Sequence, residues 1–145
     1  MISVAAGRDG GSASTELVLV TPLLVALLLF VVYGGRLAHA RLGVESAAHQ
    51  AARAATLARS GATAETDAQS TAKVALAAEH LTCGDLRVSV DTASFRAGGS
   101  VTVTVTCRVD NTDLSGLGLP GSVDVAASAS SPVDSWRGLD LDGGP

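Results

Sequence analysis

Residues 17–35 read Leu-Val-Leu-Val-Thr-Pro-Leu-Leu-Val-Ala-Leu-Leu-Leu-Phe-Val-Val-Tyr-Gly-Gly, 19 positions without a charge. As a helix rising ~1.5 Å per residue, this stretch is roughly 28 Å long, close to the ~30 Å hydrocarbon core of a bilayer. Arg36 ends it, and Tyr33 stands one turn inside that end, where an amphipathic ring suits the membrane interface. The remaining chain is too small to wrap such a helix on all sides, so the run predicts a transmembrane helix rather than a core helix. Pro22 removes the hydrogen bond to the Val18 carbonyl, which predicts a loosening there unless Thr21 or a neighbouring helix satisfies the freed oxygen.

Composition places the apolarity. The chain has 145 residues, 47% hydrophobic but only 3% aromatic, and its mean hydropathy of +0.36 is concentrated near the N-terminus. Four aromatic residues (Phe30, Tyr33, Phe95 and Trp136) cannot line a deep ligand pocket and also fill a core. Alanine accounts for 25 residues, each burying little area. Ten basic against 14 acidic residues give a net charge of −4, and no basic run exists, which excludes a nucleic-acid reader.

The residues ahead of the apolar run read Gly10-Gly11-Ser12-Ala13-Ser14-Thr15-Glu16. A carboxylate at the mouth of a membrane helix is costly unless something pairs it. A cut after Gly11 gives Ser12 a new amine and makes Glu16 the fifth residue, one helical turn away. The carboxylate of Glu16 also suits the positive end of the helix dipole. It can then neutralise the amine of its own chain or of an adjacent subunit and so set the register of helix packing.

This pattern resembles type IV prepilins. With Glu16-Leu17, Pro22-Leu23-Leu24, Gly35-Arg36 and Ala51-Ala52-Arg53-Ala54-Ala55 it is similar, over roughly residues 10–58, to the TadE-like pseudopilins of Flp (Tad) pilus assembly. The resemblance implies a membrane-held minor pilin, cut by a prepilin peptidase between Gly11 and Ser12. It also implies pilin or pseudopilin subunits and the membrane pilus-assembly machinery as partners. The location implied is the cytoplasmic (inner) membrane, single-pass, with the C-terminal domain extracytoplasmic. Two features depart from the pattern: Ser12 fills the first mature position where many major pilins carry an aromatic, and Val32-Tyr33 precedes the glycines. Two other N-termini stay open. Ala38-His39-Ala40 fits the small-x-small rule of signal peptidase, and the anchor can also remain uncleaved. Positive charge alone, with Arg36, Arg41, Arg53 and Arg59 downstream, would keep the C-terminal part in the cytoplasm.

Beyond Arg36 the helix continues. Leu37, Ala40, Val44, Ala47, Ala51, Ala54 and Ala58 recur at spacings of three and four, a seam suited to a partner helix or to the chain's own second helix. Unbroken from Ser12 to Arg59 it would reach ~72 Å, though Gly34, Gly35 and Gly43 weaken it. Ser60-Gly61 is a break, and a second helix is expected over 64–81, capped by Cys83-Gly84. The period then changes to two, with Val88 and Val90 in a first strand. Val101, Val103, Val105, Cys107 and Val109 form a second, and Val123, Val125, Ala127 and Ala129 a third. Ala97-Gly98-Gly99 is the first turn. The expected class is α+β: a long N-terminal transmembrane helix continuing outside the membrane, a second helix and a small three-stranded antiparallel sheet. The domains are 1–11 leader, 12–35 transmembrane helix, 36–59 helical extension, 60–131 α+β domain and 132–145 flexible tail.

Cys107 shares the Val face of its strand, and Cys83 sits where the second helix meets the sheet. A disulfide between them would tie helix to sheet and stabilise a thin core by roughly 3.5 kcal/mol. It fits an oxidising compartment and thus, against the charge rule, a domain outside the cytoplasm.

Three motifs imitate catalysis. Ser70-Thr71-Ala72-Lys73 matches S-x-x-K but lacks the companion elements of penicillin-recognising enzymes. Gly116-Leu117-Gly118-Leu119-Pro120-Gly121 matches G-x-G-x-x-G but leads into a strand, where a dinucleotide site needs a helix. His39, His49 and His80 are scattered, and His80 with Cys83 and Cys107 makes at most three zinc ligands. No catalytic residue, cofactor, metal or small-molecule substrate is assigned. The leading expectation is assembly rather than chemistry; the alternative is a membrane-anchored extracytoplasmic binding module unrelated to pili.

Overall fold

The computed structural model describes residues 12–112, 116, 118 and 121–136, with side chains from residue 17 onward. The expected leader 1–11, the Glu16 side chain and residues 137–145 lie outside it. Five elements follow one another: α1 (Ser12–Leu57), α2 (Gly61–Ala78), β1 (Cys83–Asp91), β2 (Ser100–Asp110) and β3 (Ser122–Pro132). The chain is α+β, as its periodicities predict. It divides into two compact units, Met1–Leu37 and Ala38–Pro145.

In the first unit the helix persists through Pro22. The Thr21 hydroxyl donates to the carbonyl of Leu17 at 2.7 Å, not to that of Val18, the oxygen Pro22 leaves free. From Leu17 to Val32 the side chains are exposed on every side except at half-buried Leu29, with Leu17 at 68% and Phe30 at 67%. The helix carries no polar stripe to turn toward water.

The second unit opens with the C-terminal half of α1, whose Ala40, Val44, Ala47, Ala48, Ala51 and Ala55 are fully buried. These positions span a wider face than a single seam. α2 answers with buried Ala64, Ala68, Ala72, Ala75 and Leu76. Three residues join the helices, and at the far end His39 Nε2 donates to the Glu79 carbonyl at 3.2 Å. These two constraints make the pair an antiparallel hairpin. Near the same end a Cβ on Gly43 would collide with Leu81 Cδ1. A helical glycine usually costs about 1 kcal/mol against Ala; here it lets the Leu81 side chain lie against the α1 backbone.

The limits of α2 differ from the expected 64–81. Ser60 caps the helix in a reciprocal box with Thr63, each side chain bonding the other's backbone N–H, so the helix starts at Gly61. It ends at Ala78 because His80, at φ 54°, turns left-handed. The His80 N–H donates to Ala77 O and the Leu81 N–H to Leu76 O, both at 3.0 Å. That pair of bonds is a Schellman motif with histidine in the place glycine normally takes. Gly84 therefore caps nothing; it sits in β1 where the register shifts between Cys83 and Asp85.

The sheet is a meander of order β1-β2-β3, all antiparallel. Leu86, Val88 and Val90 of β1 lie opposite Cys107, Val105 and Val103, which lie opposite Val125, Ala127 and Ala129 of β3. Opposite residues share a face, so these side chains form one apolar surface, and β2 is fully buried along it. The other face is polar. Thr104 and Ser128 share a hydroxyl hydrogen bond at 2.7 Å, Thr102 donates to Ser130 at 3.3 Å, and the Arg108 guanidinium reaches the Ser122 hydroxyl. In the β1–β2 turn Gly98 takes φ 74°, and a Cβ on Gly99 would collide with the Ser94 carbonyl. β3 runs to Pro132, and Val133 beyond it is buried and bonded to the Gly98-Gly99 backbone, so order continues past residue 131.

Candidate functional site

The feature that most needs a partner is the exposed apolar helix. Leu17, Val18, Leu19, Leu23, Leu24, Leu27, Leu28, Phe30 and Val31 are each at least 57% exposed. At about 25 cal/mol per Å² of apolar surface, leaving them in water is prohibitive for one small domain. α1 is long and apolar enough to cross a membrane, with none of its most hydrophobic window buried within the chain. A helix that is apolar all round, with no core about it, matches a lipid-facing segment. Ser12 and Glu16 lie in the first turns of α1, whereas Gly11 precedes its described start.

Cys83 and Cys107 are joined, with Cα atoms 5.3 Å apart. Because Cys83 is the first residue of β1, the bond staples β1 to β2 rather than helix to sheet, the link the sequence suggests. It lies beside the α2–β1 junction, where a groove of about 480 Å³ is lined by Lys73, Leu76, His80, Leu81, Cys83 and Leu86. The groove is broadly open to solvent.

The catalytic look-alikes separate on inspection. The Ser70 hydroxyl donates to the Asp67 carbonyl at 3.0 Å, a bond inside its own helix, and both Ser70 and Lys73 are exposed. Gly118, at φ 75°, belongs to the connection between β2 and β3, and the next described element is a strand. Among the described residues no three of His, Cys, Asp and Glu gather as a metal site. Sequence reasoning missed the left-handed His80 and the Gly43–Leu81 contact. The only early signal for the second was a glycine interrupting an otherwise Ala-rich seam.

Residues 11–53 match the family model of the TadE-like proteins. Over that segment the chain is similar to the TadE-like proteins. No curated protein and no solved structure matches it. The TadE-like segment begins at Gly11, takes in the whole exposed apolar run and ends at Arg53, within the alanine face that closes on α2. The matched segment thus joins two chemistries on one helix, large aliphatic side chains turned outward and alanines turned inward. The last residues of α1, all of α2 and the sheet lie outside the match.

Proposed function

We propose that this protein is a single-pass, membrane-anchored TadE-like pseudopilin of Flp/Tad pilus assembly, structural rather than catalytic in role. The observation that carries the reading is the coincidence of the TadE-like match with a helix whose apolar surface is exposed on all sides. The anchor is held in the cytoplasmic membrane and the α+β domain faces outward, a topology the Cys83–Cys107 bond favours because disulfides persist in oxidising compartments. A prepilin peptidase cuts between Gly11 and Ser12. Glu16 then pairs with the freed amine, its own or a neighbour's, and sets helix register against pilin or pseudopilin subunits. Burying that pair in lipid makes it specific, since an unpaired carboxylate at that depth is costly.

Mass spectrometry of the mature N-terminus tests the reading. The expected chain starts at Ser12, and Gly11→Ala leaves the leader attached. A mature chain beginning at Met1 or Arg41, or normal processing of Gly11→Ala, would refute the prepilin assignment. In the same strain Glu16→Ala should preserve membrane insertion and reduce co-purification with pilin subunits.

A further inference from the structure

The meander leaves two sheet edges, and they are built differently. On β1 the register breaks at Cys83/Asp85, and Asp85, Arg87 and Asp91 place charges along the strand. Bulges and charges are the usual protection of an edge against further strand pairing. β3 has neither. From Val125 to Ser131 it reads Val-Ala-Ala-Ser-Ala-Ser-Ser, with one charge before it, Asp124, and one proline after it, Pro132.

The backbone direction of that edge follows from the ladder. The Asn111 N–H donates to Gly121 O at 2.8 Å and the Val133 N–H to Gly99 O at 2.9 Å. Pairing alternates along an antiparallel strand, so odd-numbered residues from 121 to 133 exchange bonds with β2. The hydroxyl contacts Thr102–Ser130 and Thr104–Ser128 agree, because side chains approach closest at the pairs that do not exchange backbone bonds. Ser122, Asp124, Ala126, Ser128 and Ser130 therefore turn their N–H and C=O groups away from β2. No described segment bonds to them. Pro132, which has no N–H, falls on the same outward set, the place a proline is tolerated.

We infer that this edge pairs with the β3 of a second copy of the chain, antiparallel, across a two-fold axis at Ala127. The strand is complementary to itself in that register. Ser122 meets Pro132 of the second copy, Asp124 meets Ser130 and Ala126 meets Ser128, all outward residues, so donors face acceptors along the strand except opposite the Ser122 carbonyl, where Pro132 has no N–H. The two Asp124 carboxylates end up six residues apart along the seam, ~20 Å, too far for strong repulsion at ordinary salt. On the apolar face Val125 meets Ala129 and Ala127 meets Ala127, which extends the Val-Ala surface from three strands to six. Small side chains on both faces let the strands approach without a clash, and a heterologous strand gains nothing from this symmetry. The inference is independent of the pilus reading.

Full-length protein in detergent micelles or nanodiscs tests it. Ala127→Cys places two thiols at the axis, in a pair that does not exchange backbone bonds, where Cβ atoms approach to ~4.5–5.5 Å. Mild oxidation should give a disulfide-linked dimer. Ser131→Cys, whose counterpart in the second copy is ~27 Å away, should not cross-link. Ala126→Pro deletes one outward N–H per copy while leaving the β2 ladder intact, and should weaken dimerisation in sedimentation by about tenfold or more. Ser128→Lys, which adds a cation at the same edge, should do the same, and amide exchange of β2 confirms that each variant folds. A monomer at all concentrations would overturn the inference. So would cross-linking at residue 131, or a dimer that both edge variants leave intact, the result expected if copies associate through α1.

Discussion

Removing the Cys83–Cys107 bond is the sharpest test of how the α+β domain is held. Cys107 is fully buried, and the bond closes a loop of sequence separation 24 between the first residue of β1 and the middle strand. The loop-closure relation gives roughly 3.5 kcal/mol for a ring of that size, through the conformations it removes from the unfolded chain. Cys83→Ala with Cys107→Ala keeps the interior apolar and leaves only a gap the size of two sulfur atoms. Trp136 is 91% exposed, so its fluorescence would barely register unfolding. Amide exchange along β2 is the better assay, because Val101, Val103 and Val105 sit in the centre of the core. If those amides exchange through global unfolding of the domain, 3.5 kcal/mol corresponds to an acceleration of about 400-fold. Their exchange should rise by that order in the double variant and in reduced wild-type protein. An acceleration below about tenfold, or one confined to residues 83–86, would refute the reasoning, because the bond would then be constraining only its own corner.

His80→Gly should stabilise the domain by about 0.5–1 kcal/mol in urea titration, since glycine adopts the φ 54° of that position without the penalty a Cβ imposes; Glu79→Gly, at φ −83°, should destabilise it. Gly43→Ile should cost about 1–3 kcal/mol by driving into Leu81, and Leu81→Ala in that background should recover part of the loss. Gly35→Ala meets nothing within 4 Å and should leave the domain's stability unchanged.

The periodicities carried most of this fold because they are local. Val and Thr alternate cleanly through residues 101–106, and the face that the alternation assigns to Val is the face the sheet buries. Ala40, Val44, Ala47 and Ala51 are likewise buried as their spacing requires. The ends of α2 were less legible. Ser60-Gly61 reads as a break, yet Ser60 bonds Thr63 and starts a helix, because a capping box looks like a loop until its partner three residues on is counted. At the other end glycine is the usual left-handed residue, which draws the expected helix on to Leu81 with its cap at Gly84, while the turn falls on His80. Whether the alanine seam meets a partner or the chain's own α2 was also open in the sequence, since alanines suit both. The His39–Glu79 and Gly43–Leu81 contacts hold the residues just past the end of α2 against α1, and the alanines of both helices are buried. The processing proposed at Gly11 is read from the residues alone, since that segment lies outside the described structure.

The order of the sheet bears on how the domain comes into being. Each strand pairs with its neighbour in sequence, and the helical hairpin likewise joins consecutive elements. Nothing formed early waits for a distant part of the chain, a low-contact-order arrangement that favours rapid folding. Both cysteines belong to the β1–β2 hairpin, so their thiols meet once about 28 residues of strand and turn have formed. A chain delivered N-terminus first can therefore be oxidised before β3 is present, which leaves the last strand to dock on a template already locked in place.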